Sequence, residues 1–280
     1  MRLRTDLATI HTYSHARNKL KAAHGGTGRK RAILVIDSGY RYAWLIWSAA
    51  FLVPWVAVFA ARPALRTRML WASVLTAPFG LTEPLFVPAY WNPPSLFDLA
   101  QRTGFDVESL IFSFAIGGLA AAGYRAIAPT AESRLNHRTR KAASHRWHLA
   151  ALVSPFVVFL ILSAAPWNPI YAGIGAMLAG AVATLVCRPG LTRSALVGGL
   201  LFFALYLAFL LGLKWLWPGY IEAVWNLPAL VPWRPAGLVL EELLFGFAFG
   251  MYWSCIYEHV AWRSIVSRRP RSASIRTHAK

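Results

Sequence analysis

Seven stretches of this chain are too apolar and too long to be surface helices of a water-soluble protein. They run over about 43–61, 69–90, 105–124, 148–165, 168–187, 195–213 and 237–259. A helix needs ~20 mostly apolar residues to cross the hydrocarbon core of a bilayer. Lipid offers no hydrogen-bond partner to backbone amides, so each run must satisfy its own as a helix. The expected fold is all-α, a multi-pass protein of the cell membrane with about seven transmembrane helices. The two cysteines, Cys187 and Cys255, both fall in apolar runs and read as buried thiols. No disulfide framework or metal site is expected from them.

Polar segments divide the chain. Residues 1–40 read as a basic, disordered tail, and 261–280 as a second one. Residues 129–166 hold a basic connector and a spacer helix between two larger blocks, 41–128 and 167–260. The net charge of +18 would suit nucleic acid in a soluble protein. Here it suits an anionic leaflet and the determinants of topology, and no nucleic-acid partner is expected.

The two blocks repeat each other. Trp91-Asn92 finds its counterpart in Trp225-Asn226, and Glu108 in Glu241. Phe112, Phe114, Ala115 and Gly117 then match Phe245, Phe247, Ala248 and Gly250. An ordered set of matches on this scale indicates an internal duplication. Three helices per block and one spacer helix return the chain to the same membrane side. The repeats are therefore expected to be parallel, with both Trp-Asn loops at one face. Charge agrees: that face holds Glu83, Asp98, Asp106, Glu108, Glu222, Glu241 and Glu242, seven of the 11 acids. Outside the N-terminal tail its only basic residues are Arg102, Lys214 and Arg234. The basic residues of 1–40 run against this pattern.

Helical spacing places the acids. Glu241, Phe245 and Phe249 are four apart and share a face, while Glu242, Gly246 and Gly250 form the next row. Glu108 and Phe112 make the same pair in the first block. An acid in the first turn of a helix suits the macrodipole, which is the plain structural reading. A carboxylate at membrane depth also marks function, and Glu83 beside Pro84 is a second such group.

In these residues the chain resembles the membrane-integral lycopene cyclase domains of bacterial heterodimeric, archaeal and fungal fused carotenoid cyclases. That family carries an acid before a Trp-rich loop ending in Asn-Pro, then a helix opening Pro-x-Glu-Glu-x-x-Phe-Phe. Trp91-Asn92-Pro93 and Glu108 with Phe112 match in the first block, and Glu241-Glu242 with Phe245 in the second. Glu83 and Glu222 stand near the upstream acid. The motif proline is Asp106 or Val239 here, the second glutamate is Ser109 in the first block, and the second phenylalanine is Ser113 or Gly246.

The resemblance implies proton-initiated cyclisation of polyene end groups, an isomerisation without net redox change and without a cofactor. Glu241, Glu242 and Glu108 are the implied catalytic acids. Glu83, Trp91, Asn92, Phe112, Glu222, Trp225, Asn226 and Phe245 are the implied substrate-binding residues, and no metal is called for. The implied partners are a carotenoid or other isoprenoid from the bilayer, membrane lipid and enzymes of the carotenoid pathway. A second reading is a non-catalytic membrane protein of the same fold that binds carotenoid or lipid. A prenyltransferase would need an Asn-x-x-x-Asp-x-x-x-Asp pattern to hold Mg²⁺ and diphosphate, and the chain has none.

Overall fold

A computed structural model describes residues 40–128 and 130–267. The basic tail up to residue 39 and residues 268–280 lie outside the described residues. The fold is mostly helical. The main helices are α1 (Ala43–Ala61), α2 (Arg66–Thr76), α3 (Glu83–Phe86), α4 (Val107–Ile127), α5 (His148–Ser163), α6 (Pro169–Cys187), α7 (Thr192–Leu216) and α8 (Leu240–Val260). Among the described residues, five helical segments are long and apolar enough to cross a membrane: Ala43–Ala61, Val107–Ile127, Ala143–Ser163, Pro169–Cys187 and Pro189–Leu216.

The two remaining apolar runs differ for physical reasons. The run 69–90 is not one helix. The α-helix ends at Thr76, a 3-10 stretch spans Ala77–Thr82, and α3 adds one turn. Pro78 and Pro84 lack the amide that an α-helix needs. Gly80 packs so close to α4 that a Cβ there would lie 2.6 Å from the Leu110 nitrogen. The other run, α8, is unbroken over 21 residues but carries Glu241, Glu242 and Glu258. It is the most enclosed helix, with Ala248, Cys255 and Glu258 all fully buried. In α1 the helical pattern is interrupted at Phe51, just before Pro54.

Close backbone approach sets the packing around α8. A Cβ on Gly250 would lie 3.1 Å from the Gly199 Cα of α7, and one on Gly246 would lie 2.8 Å from the ring of Tyr206. Small residues four apart let α7 come this near. Gly246→Ala is expected to push Tyr206 aside and to lower stability by about 1–3 kcal/mol. Unfolding of the purified variant measures this, and an unchanged midpoint would mean that the ring has room to move.

The first helix of each block ends in the same way. Arg62-Pro63-Ala64-Leu65 and Arg188-Pro189-Gly190-Leu191 each form a 3-10 turn. Leu65 and Leu191 are buried in them, and Arg62 and Arg188 share ψ 71° with φ of −126° and −137°. These two turns lie outside the Trp-Asn and Glu-Phe motifs matched in the sequence.

At the same end lies a two-stranded antiparallel sheet, β1 (Thr130–Arg134) with β2 (Arg263–Ser267), in register Glu132 to Ile265. The connector and the first residues beyond 260 therefore carry regular structure. Buried charge gathers beside it. Arg68 of α2 bonds Glu258 of α8 at 2.5 Å and Glu132 of β1 at 2.8 Å.

Candidate functional site

The Trp-Asn loops meet. Trp91 and Trp225 form an isolated antiparallel bridge. The Asn92 amide donates to the Val224 carbonyl and the Asn226 amide to the Tyr90 carbonyl, each at 2.8 Å. The two indoles lie 5.5 Å apart. The Asn226 side chain also donates to the Ala89 carbonyl at 2.9 Å. Asn168 donates to that same carbonyl at 2.9 Å while its side-chain oxygen caps α6. The Trp167-Asn168-Pro169 turn has the look of coincidence in the sequence, but it is tied into the loop cluster.

Each loop tryptophan holds a buried carboxylate. The Trp91 indole donates to Glu83 Oε2 at 3.0 Å, and the Trp225 indole to Glu242 Oε1 at 3.0 Å. Glu83 and Glu242 are each 6% exposed. The hydroxyl of Ser109 bonds the other oxygen of Glu83. Two tyrosines complete the shell of Glu242: Tyr90 OH donates to Oε1 at 2.6 Å and Tyr206 OH to Oε2 at 2.5 Å. Tyr90 belongs to the first block and the rest of this shell to the second, so the carboxylate is held from both.

Glu108 and Glu241 take a different part. Glu108 Oε1 accepts the Leu96 amide at 2.7 Å, and Glu241 Oε1 accepts the Val231 amide at 2.8 Å. Each fully buried carboxylate thus ties its own loop down to its own helix. Tyr171 OH adds a second donor to Glu241 Oε1 at 2.5 Å. The second oxygen of each has no hydrogen-bond partner among the described residues. Asp106 caps α4 through the Ser109 amide. Burial raises the hydroxyl pKa of Tyr220, in the second loop, above its ordinary range, helped by the charges of Asp106 and Glu108.

Aromatic faces surround the two indole-bound carboxylates. Trp44 of α1 meets Trp91 at 4.8 Å and Phe112 at 5.3 Å. Phe112 continues to Phe51 at 5.5 Å and to Tyr206 at 6.2 Å. Phe245 lies 5.8 Å from Tyr206 on the other side. Trp91, Phe112, Trp225, Phe245, Glu83 and Glu242 are therefore brought together. Glu222 and the side chain of Asn92 are exposed and stay outside this group, while Asn226 takes part through the loop contact. Trp233, whose sequence position suggests a place beside the carboxylates, is 65% exposed.

Sequence reasoning does not find Tyr90, Tyr206 or Trp44, and it marks Ser109 only as the residue in place of the second glutamate. A usable signal exists for Tyr206: a buried hydroxyl in an otherwise apolar helix needs a partner.

Such a site can hold a proton on a carboxyl, accept one on another, and offer π-faces to a cation formed between them. No curated protein and no solved structure matches this chain. One family model does, over residues 168–260, and its description is lycopene cyclase. The matched stretch contains Tyr206, Trp225, Glu241, Glu242 and Phe245. Residues 168–260 of this chain are thus similar to the lycopene cyclase family.

Proposed function

We propose that this protein is a lycopene cyclase-like enzyme of the cell membrane that closes rings at polyene ends by proton transfer. Two parallel three-helix repeats, α1–α4 and α6–α8, enclose one site, with α5 as the spacer. Seven spans result if α2, the 3-10 stretch and α3 cross as one broken segment and α8 crosses as a helix. The paired Trp-Asn loops, the matching Arg-Pro-x-Leu turns and the loop-anchoring roles of Glu108 and Glu241 support that duplication.

One observation carries the reading. Two buried carboxylates, each on a loop indole, sit beside one continuous aromatic cluster. The family match covers one of them directly.

The reaction starts when Glu83 passes its proton to the terminal double bond of the polyene. Ser109 is a hydroxyl that can accept from a protonated Glu83, so the acid form is accommodated there. Protonation leaves a tertiary cation, which an internal double bond attacks to close a six-membered ring. Phe112, Phe245 and Tyr206 face the charge. Glu242, on which three donors converge, then removes a ring proton to give the new double bond. The proton returns from Glu242 to Glu83, so the product is an isomer of the substrate and no cofactor is consumed. The substrate is a carotenoid or related isoprenoid that enters from the bilayer. Glu241 and Glu108 act by fixing the two loops that present the tryptophans.

The second reading, a carotenoid- or lipid-binding protein without catalysis, has one observation in its favour. Both oxygens of Glu242 are already fully engaged by protein donors. Expression in a lycopene-accumulating host separates the two. The enzyme is expected to yield ringed products, seen by chromatography, without added flavin or nucleotide. Unchanged lycopene beside well-inserted protein would favour the binding role.

A further inference from the structure

Three imidazoles and a guanidinium meet at the end of the molecule opposite the tryptophan loops. His145 lies in the 3-10 turn Ala143–Trp147, His148 opens α5, Arg188 follows α6, and His259 is near the end of α8. The rings of His148 and His259 are 4.2 Å apart, and those of His145 and His148 are 6.3 Å apart. Trp262 closes the seam, stacked on His148 at 4.3 Å, and Arg140 lies over the Trp262 ring at 5.5 Å.

The polar atoms here lack partners. His259 is 0% exposed, yet neither of its ring nitrogens has a hydrogen-bond partner among the described residues. The same holds for Nδ1 of His148 and for Nη1 of Arg188, a residue only 8% exposed. The other arm of Arg188 donates to the Arg263 carbonyl at 3.0 Å. A buried donor left unsatisfied costs ~1–3 kcal/mol, so several together indicate a missing partner.

The donor set selects the partner's charge. No group of three or more His, Cys, Asp or Glu among the described residues is arranged to hold a metal ion. Arg188 would also repel a cation. An anion suits a guanidinium and imidazole N–H groups, and phosphate oxygens match the guanidinium fork. The nearby carboxylates do not serve as that anion. Glu258 is bound to Arg68 at 2.5 Å, and Glu132 to Arg68 at 2.8 Å and Arg125 at 3.3 Å. The surrounding chain is strongly basic, with Arg134, Arg138, Lys141, Arg146 and Arg193. Basic pockets between membrane helices on such a face bind lipid headgroups. His148 and Trp262 are only half-buried, which opens the seam at its edge.

We propose that this seam binds a phosphate group, carried by an anionic phospholipid or by soluble phosphate. It stands apart from the cyclisation reading and survives that reading's failure. The test uses the full-length protein in detergent. Native mass spectrometry and thermal unfolding are recorded with phosphatidic acid, with phosphatidylcholine and with inorganic phosphate. Selective retention of one phosphatidic acid, with a raised unfolding temperature, assigns the site to lipid. The same stabilisation by inorganic phosphate alone assigns it to a soluble ligand. Arg188→Gln is expected to weaken binding about tenfold or more, since a charge-assisted contact is lost. His148→Gln, at the more exposed edge, gives the comparison if Arg188→Gln fails to fold. Equal binding of both lipids without any phosphate effect would overturn the proposal. So would wild-type binding by both variants.

Discussion

Glu242→Gln is expected to abolish ring formation in a lycopene-accumulating host, with a loss of at least about 10²-fold. Gln keeps the size of the side chain and can still accept from Trp225 and one tyrosine, but it cannot take up a proton. The insertion and amount of protein should therefore stay near wild type. Tyr206→Phe and Tyr90→Phe each remove one donor at 2.5 and 2.6 Å and are expected to slow turnover by about tenfold. Glu241→Gln provides the contrast. Its carboxylate accepts the Val231 amide and Tyr171, so its replacement is expected to loosen the second loop and cost about 1–3 kcal/mol of stability. The two variants separate chemistry from anchoring through yield per molecule of inserted protein. Full activity in Glu242→Gln would remove this carboxylate from the reaction. A total loss in Glu241→Gln with unchanged stability would move the proton transfer to Glu241, the residue that the repeat alone singles out.

The difference between those two neighbours shows what a one-dimensional pattern holds. Adjacent helix positions point about 100° apart. Periodicity places Glu241 and Glu242 on neighbouring faces, but it does not say which face meets the loop and which meets α7. That depends on the depth at which Gly246 and Gly250 let α7 approach, a three-dimensional quantity. Most of the apolar runs were legible because a long unbroken apolar stretch favours a single helix, although the run 69–90 breaks into three pieces. The pairing of the two loops was legible because Trp91-Asn92 and Trp225-Asn226 are the same dipeptide. Pro78, Gly80 and Pro84 announced trouble in the second run, but they did not announce the 3-10 stretch that carries Glu83 inward. The β1–β2 pairing was illegible, since it joins two basic segments more than a hundred residues apart with no alternation to set a register. Tyr90 and Tyr206 were hidden for another reason. In an apolar run a tyrosine counts as bulk until its hydroxyl is seen to have a partner.

Arg68→Leu is expected to destabilise the protein by about 3–5 kcal/mol, because Glu258 would remain buried without its counter-charge. Arg68 is 2% exposed and Glu258 0%. One guanidinium nitrogen bonds Glu258 at 2.5 Å and Glu132 at 2.8 Å, and another donates to the Ala121 carbonyl at 3.3 Å. The guanidinium carbon also stands 4.5 Å over the ring of Tyr257. One side chain of α2 thereby reaches α4, α8 and β1. Glu258→Gln is expected to be milder, since it leaves no bare carboxylate and Arg68 keeps Glu132. The double change Arg68→Met with Glu258→Met should recover most of the loss, because apolar residues of similar volume often replace a buried pair at no net cost. Unfolding midpoints of the purified single and double variants measure the coupling. Additive losses in the double variant would mean that the pair acts through shape and not through charge. The consequence for function follows from where the tie lies. Helix α2 leads through the 3-10 stretch to Glu83, and Glu242 stands in the first turn of α8, so the arginine fixes the far ends of the two elements that present the carboxylates. A single variant that still folds should hold those carboxylates less firmly and lose activity, and the double variant should regain it together with the rigidity.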